Sequence, residues 1–213
     1  MYNLLIALAA GVVAGLLVKL FGFSLWAGIV PGIIVLLGVY VVLARRSMQQ
    51  VQAIMGRVQK ELSIQPTSQR ELEGHLARAV KLIESAMPIG QWQFMVRPEL
   101  HSQIGSLYYV GKDLAKAAPH FAQGSKRNAM AKAMEGALHY RQNNRAAMTA
   151  AFELAVKHGK KESILWAVYA WCLLQLKDRE GAVRILARGV ETNPSDEKLK
   201  NALTQAQNDK RLK

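Results

Sequence analysis

The stretch SILWAVYAWCLLQLKDREGAVRILARGVETNPSD, residues 163–196, repeats the pattern of residues 129–162 at a spacing of 34 residues. Both repeats carry small residues at positions 8 and 27, a helix-capping side chain at position 16 and a large apolar side chain at position 24. These residues are Gly136, Asn144, Phe152 and Ala155 in the earlier repeat, and Ala170, Asp178, Leu186 and Gly189 in the later one. A fixed period of this length indicates a supersecondary unit whose copies bury their apolar faces against each other.

A more divergent copy over residues 98–128 precedes these two, which makes it the first of three repeats. It keeps Gly105 at position 8, Asp113 at position 16 and Phe121 at position 24. It departs from the pattern with Pro119 inside its second predicted helix. Because it reaches the second repeat after only 31 residues, we expect its last turn to be short. An amphipathic helix predicted over 196–210 follows the third repeat and is expected to cap the stack.

The third repeat also has Trp166 at position 4, Ala182 at position 20 and Pro194 at position 32. With this set, the period resembles the tetratricopeptide repeat (TPR), a helix–turn–helix unit. The resemblance covers about residues 98–210. It implies an all-α fold in which helix pairs stack into a solenoid with a concave surface for another chain.

The resemblance also implies which side chains line that surface, because positions 2, 5, 9, 12 and 13 of the first helix do so in the family. The candidates for a partner-binding groove are Tyr109, Met130, Tyr140, Arg141, Ile164, Trp171 and Leu174. Repeats that hold a C-terminal carboxylate place Lys, Asn and Arg at such positions, whereas Ser, Ala, Ile and Val stand here, so no carboxylate clamp is expected. An apolar, aromatic groove suits an amphipathic helix of a partner. The alternative is that one of the chain's own helices, 67–87 or 196–210, fills it.

Two apolar runs, 4–21 and 24–43, begin the chain and contain one charge, Lys19. About 20 helical residues cross the ~30 Å hydrocarbon core of a bilayer. Runs joined this tightly must be antiparallel, so residues 1–44 are predicted to form a transmembrane hairpin. A signal peptide is disfavoured because residues 1–3 carry no basic side chain and a second apolar run follows at once.

A group of basic residues follows the second apolar run and sets the predicted orientation. These membrane-proximal residues are Arg45, Arg46, Arg57 and Lys60. Basic flanks stay on the cytoplasmic side, so we expect a two-pass protein of the inner (cytoplasmic) membrane with both termini in the cytoplasm. The chain's single cysteine, Cys172, agrees with a reducing compartment.

Residues 45–97 are predicted to join the hairpin to the repeats, which occupy 98–213. A helix continues to Leu62, and a capping box at Ser68 and Glu71 opens another that runs to about Met87. The motif at 88–90 is expected to stop this helix. The apolar residues of 92–96 are expected to pack onto the first repeat.

No catalytic constellation is evident, and an enzyme is not expected. The four histidines at 101, 120, 139 and 158 fall at different repeat positions, so no shared face, metal site or cofactor is predicted. Cys172 is expected to pack in the core. The net charge of +13 lies almost wholly after Ala44 and favours anionic partners.

The sequence therefore predicts a membrane-anchored TPR-like adaptor or scaffold. It would bind a protein partner at the cytoplasmic face and support assembly of a complex with other membrane subunits. The alternative is a membrane-tethered basic module that binds anionic lipid or nucleic acid. Nucleic acid is less favoured because no aromatic stacking platform lies among the basic residues. A third hypothesis is self-association into a homo-oligomer.

Overall fold

The computed structural model describes residues 1–208, apart from the side chain of Leu25. Within residues 1–208 the chain forms ten α-helices and one 3₁₀ helix and contains no strand, which confirms the all-α class. The α-helices are α1 Tyr2–Leu20, α2 Leu25–Leu62, α3 Gln69–Glu84, α4 Val96–Val110, α5 Leu114–Gln123, α6 Ala129–Arg141, α7 Arg145–His158, α8 Ser163–Gln175, α9 Arg179–Thr192 and α10 Glu197–Gln207. The chain divides into two compact units, Met1–Leu100 and His101–Lys213.

In the first unit, α1 and α2 pack as an antiparallel hairpin through glycine. A Cβ atom on Gly28 would lie 2.5 Å from the carbonyl oxygen of Gly15, and one on Gly11 would lie 2.7 Å from that of Gly32. Only glycine allows the two backbones to approach this closely. The connecting turn passes through Gly22 at φ +86°.

Both helices of this hairpin are long and apolar enough to cross a membrane. The candidate spans are Tyr2–Leu20 and Trp26–Leu62, and the most apolar windows of the two are only 17% and 11% buried. An apolar helix in the core of a soluble domain would be mostly buried, and these are not. The second helix continues without a break to Leu62, as the sequence predicts.

Helix α3 begins at the predicted cap but ends earlier than predicted. The hydroxyl of Ser68 accepts a hydrogen bond from the Glu71 N–H at 3.2 Å. The carboxylate of Glu71 accepts from the N–H and the hydroxyl of Thr67, both at 2.8 Å, so its return bonds lie one residue before the cap. The helix ends at Glu84, and a 3₁₀ helix, Met87–Gln91, follows it. The motif at 88–90, which was predicted to stop α3, lies within this 3₁₀ helix.

The apolar residues of 92–96 differ in exposure, and Val96 is buried. Trp92 and Phe94 are 46% and 62% exposed. The ring of Trp92 lies edge-on against Tyr2, with 5.3 Å between ring centroids. The predicted packing of Trp92 and Phe94 onto the first repeat stays a prediction.

In the second unit, the same turn joins the helices of each pair α4/α5, α6/α7 and α8/α9. Each turn passes through one residue with positive φ, and these are Lys112, Asn143 and Lys177. Each is followed by a capping residue whose side chain accepts from the backbone N–H three positions on, at 2.8–3.1 Å. The turn therefore recurs in the structure at the spacings that the sequence repeats predict.

The helix pairs bury equivalent side chains. Phe121 and Phe152 pack against the backbones of Gly105 and Gly136, where a Cβ would come within 2.8 Å and 2.7 Å of the rings. Helix α5 has 10 residues, whereas α7 and α9 have 14 each, so the first repeat is shortened as predicted. Helix α10 closes the unit against α8 and α9.

Candidate partner-binding surface

The predicted groove residues of α6 and α8 form two adjacent rows. Residues separated by three, four or seven positions share one face of a helix. Met130, Ala133, Ala137 and Tyr140 form such a row on α6, and Ile164, Ala167, Trp171 and Leu174 form one on α8. The two helices pack together, and the rings of Tyr140 and Trp171 meet edge to face at 5.7 Å between centroids. The two rows therefore lie side by side.

Large apolar side chains stay exposed at these rows and at the end of α4. In the described part of the second unit, the large apolar side chains that remain exposed are Val110, Met130, Ile164 and Trp171, at 52%, 42%, 56% and 45%. All four occupy positions that the repeat pattern assigns to the groove. We refer to these four side chains together with Tyr109 and Tyr140 as the apolar face.

Tyr109 brings the end of α4 to the same region. Its ring contacts Phe121, with 6.3 Å between centroids. Burial raises the pKa of the Tyr109 hydroxyl, while the nearby Arg141 guanidinium acts in the opposite direction. The hydroxyl is therefore protonated at neutral pH.

Leu174, like Tyr140, is less exposed than Met130, Ile164 and Trp171. It is half-buried and packs against the hydrophobic core that contains Trp166 and Leu173. Leu174 therefore contributes to packing in the core of the repeat. Val110, Met130, Ile164 and Trp171 are the more exposed apolar side chains at the groove positions.

The C-terminal helix does not fill the groove. Leu199 and Ala206 of α10 are 1% and 2% exposed and belong to the core shared with α8 and α9. Trp171 remains nearly half exposed with α10 in place. The described part of the helix predicted over 196–210 therefore does not cover this surface, and residues 209–210 lie outside the described residues.

The predicted membrane-proximal basic residues all lie exposed on α2. Because the helix is continuous, Arg57 is about 18 Å and Lys60 about 22 Å farther along the axis than Arg45, at 1.5 Å per residue. Arg45 and Arg46 are therefore the pair at the end of the apolar run.

The histidines are arranged differently from the prediction. Nδ1 of His101 lies 3.1 Å from Nδ1 of His120, so these two residues meet although they come from different helices. His139 contacts Gln142 instead, at 3.1 Å. No group of three or more His, Cys, Asp or Glu side chains that could hold a metal occurs in residues 1–208.

Cys172 is buried in the core, as predicted. Burial raises the pKa of its thiol to about 11. At neutral pH it is therefore a protonated, apolar packing group, because only the thiolate is an effective nucleophile.

No protein-family model matches this chain, and no curated protein matches it.

A surface depression of about 580 Å³ lies between α7 and α9. The repeat pattern does not predict it. The guanidinium of Arg188 binds both carboxylate oxygens of Glu153 there, at 2.8 and 3.0 Å, and lies 5.5 Å from the Trp166 ring centroid. The repeat pattern does not specify Glu153 or Arg188, because it describes mainly small and apolar positions. This ion pair ties α7 to α9.

Proposed function

We propose that this protein is a membrane-anchored adaptor. In this proposal the hairpin of α1 and α2 spans the inner membrane, and the second unit is a TPR-like solenoid in the cytoplasm. Its apolar face binds an amphipathic helix of a protein partner and thereby supports the assembly of a membrane complex.

The TPR-like arrangement is supported by geometry that recurs with the sequence period. Three turns share one backbone conformation and one capping bond. In the first two repeats, the phenylalanine at position 24 packs against the glycine at position 8 in the same way. Such recurrence is what stacked copies of one supersecondary unit would produce.

The membrane anchor is supported by the exposed apolar surface of α1 and α2. Aromatic side chains stand at both ends of the hairpin, with Trp26 81% exposed at the turn end and Tyr2 49% exposed at the other. Aromatic residues are enriched where a span meets the headgroups. Arg45 and Arg46 follow the span and favour a cytoplasmic second unit. A reporter fused after Lys213 tests this orientation and is expected to be active only as a cytoplasmic fusion.

The single observation that carries the binding proposal is the exposure of Val110, Met130, Ile164 and Trp171 at groove positions. A chain that stays monomeric and unbound gains nothing from displaying large apolar groups on one face. Spaced apolar anchors on successive helices fit the apolar ridge of an amphipathic helix.

A photo-crosslinking experiment in cells tests this proposal. A photoreactive phenylalanine analogue replaces Met130 or Ile164 in the full chain, and the same analogue replaces Arg184, an exposed residue of α9, as the matched control. We expect a discrete crosslinked partner from 130 and 164 that is lost in Trp171→Ala and absent from 184. Equal crosslinking from all three sites would contradict the proposal, and a crosslink only to α3 would show that the chain covers its own surface.

The basic-module alternative is weakened by ion pairing within the second unit. Several of its bases already contact carboxylates: Lys116 with Asp113, Lys132 with Glu135, Arg145 with Asp178, Arg184 with Glu180, and Arg188 with Glu153. Salt separates the two functions, because electrostatic binding of a polyanion falls steeply with ionic strength. Partner capture that persists from low to moderate salt supports the apolar face.

A further inference from the structure

The segment 87–97, which we call the aromatic loop, is fixed to the hairpin by the side chain of Gln93. Its amide nitrogen donates to the hydroxyl of Tyr40 at 3.2 Å, and its carbonyl oxygen accepts from the side-chain amide of Asn3 at 3.3 Å. Asn3 is itself 2% exposed and donates to the hydroxyl of Ser47 at 2.9 Å. One inward-facing glutamine thus connects the loop to both helices.

The backbone of the aromatic loop folds back on itself. A Cβ atom on Gly90 would lie 2.7 Å from Cβ of Arg97, so only glycine allows this approach. Met95 has φ +70°, a left-handed conformation that a residue with a side chain adopts only at a cost. The chain reverses within a few residues, and its tip carries Trp92 and Phe94 on either side of Gln93.

The loop lies level with the end of the apolar helices. The carbonyl oxygen of Trp92 accepts from the backbone N–H of Asn3 at 3.2 Å, which satisfies one of the free N–H groups at the start of α1. Asn3 also donates to the carbonyl oxygen of Leu43 at 3.3 Å. On α2, the apolar run gives way to Arg45 and Arg46 at this height. In a spanning hairpin, this height is the boundary between acyl chains and headgroups.

The composition of the loop fits that boundary. Trp92 and Phe94 are large and exposed, and the neighbouring Arg97 is also exposed. Tryptophan prefers the bilayer interface because its ring is apolar while its N–H needs a polar partner. A basic side chain beside it can reach lipid phosphate.

We infer that the aromatic loop is a third membrane contact, in which Trp92 and Phe94 lie in the lipid headgroup region. The inference rests on the proposed membrane anchor. In this arrangement the loop sets the height and tilt of the hairpin in the bilayer.

Fluorescence quenching in reconstituted vesicles tests the inference. One full-length variant, Trp26→Phe with Trp171→Phe, retains Trp92 and the buried Trp166, and a second variant that adds Trp92→Phe measures the Trp166 background. A third variant, Trp92→Phe with Trp171→Phe, retains Trp26 and reports on the hairpin. The vesicles contain phosphatidylcholine and phosphatidylglycerol, with bromine either near the headgroup or near the methyl end of the acyl chain.

We expect shallow bromine to quench Trp92 more than deep bromine. Gln93→Ala should reduce this quenching because it removes both side-chain hydrogen bonds of Gln93 and leaves only the backbone bond to Asn3 and the Tyr2 contact, while the matched exchange at the exposed Gln91 should leave it unchanged. If Trp26 is quenched and Trp92 is not, the loop lies outside the bilayer and only this inference is overturned. If neither is quenched, the membrane anchor itself is wrong. Equal quenching of Trp92 from both depths would also overturn an interfacial location.

Discussion

Phe152 lies so close to Gly136 that a methyl group at position 136 would come within 2.7 Å of its Cδ2 atom. The first repeat has the same pair, Gly105 with Phe121. The third repeat has Ala170 with Leu186 instead, and both are fully buried. A smaller side chain at position 24 thus accompanies a larger one at position 8.

This exchange predicts a rescue. Gly136→Ala alone should lower the free energy of unfolding by roughly 1–3 kcal/mol, because the added methyl overpacks a full core. Adding Phe152→Leu should recover most of that loss, since the pair then matches the third repeat. Chemical denaturation of the full chain in detergent, followed by circular dichroism, measures both. Additive losses in the double variant would show that the repeats do not pack equivalently.

The positive-φ turns predict a stabilising substitution. Lys177 has φ 61°, a conformation that costs a side-chain-bearing residue about 1–2 kcal/mol. Lys177→Gly should therefore raise the free energy of unfolding by ~0.5–1 kcal/mol, the remainder being offset by the freer unfolded chain. Asn143→Gly should gain less, because asparagine tolerates this region better than lysine.

The control for this prediction is a similar exchange inside a helix. Arg184 is exposed in the middle of α9, so Arg184→Gly replaces another long basic side chain with glycine. It should lower the free energy of unfolding by about 1 kcal/mol because glycine is a poor helix former. Lys177→Gly is thus expected to raise the free energy of unfolding and Arg184→Gly to lower it. A loss at both sites would mean that the Lys177 turn is not strained.

The features that the sequence predicts well are those that depend on local pattern. The second apolar helix, the Ser68 cap and the turns before Asp113, Asn144 and Asp178 follow from spacing and capping chemistry, which neighbouring residues determine. The exposed members of the apolar face stand at positions that the TPR resemblance implies, and helical period places Ile164 and Trp171, seven residues apart, on one face of α8.

The features that the sequence missed depend on residues far apart in the chain. The position of the loop that carries Trp92 depends on Gln93, which bonds to Asn3 and Tyr40, and no local pattern encodes those bonds. His101 and His120 meet because two helices pack at a particular rotation. The burial of Leu174 has the same cause, since a position in the repeat does not specify how deeply a neighbouring helix covers it.

The apolar face predicts a separation between binding and stability. Trp171→Ala should weaken binding of the crosslinked partner by at least ~2 kcal/mol, because a central tryptophan is a typical hot spot. Its cost to folding should be about 1–2 kcal/mol, since nearly half of the side chain is already exposed. Titration with a peptide of the partner, followed by fluorescence, gives the affinity. Arg184→Ala is the control and should bind normally, and unchanged affinity in Trp171→Ala would remove this face from the site.

The ion pair between Glu153 and Arg188 predicts a loss of stability in acid. Hydrogen bonds from Arg188 hold the pKa of Glu153 below its usual value of 4.5. A carboxylate with a lowered folded-state pKa adds stability that is fully present above its unfolded pKa and disappears as pH falls through the folded value. The stability difference between the native chain and Glu153→Gln should therefore be largest at neutral pH and shrink below about pH 4.5. Glu180, which is 91% exposed and 3.7 Å from Arg184, supplies the control, because Glu180→Gln should change little at any pH. A difference for Glu153→Gln that stays constant across this range would show that its contribution is packing rather than charge.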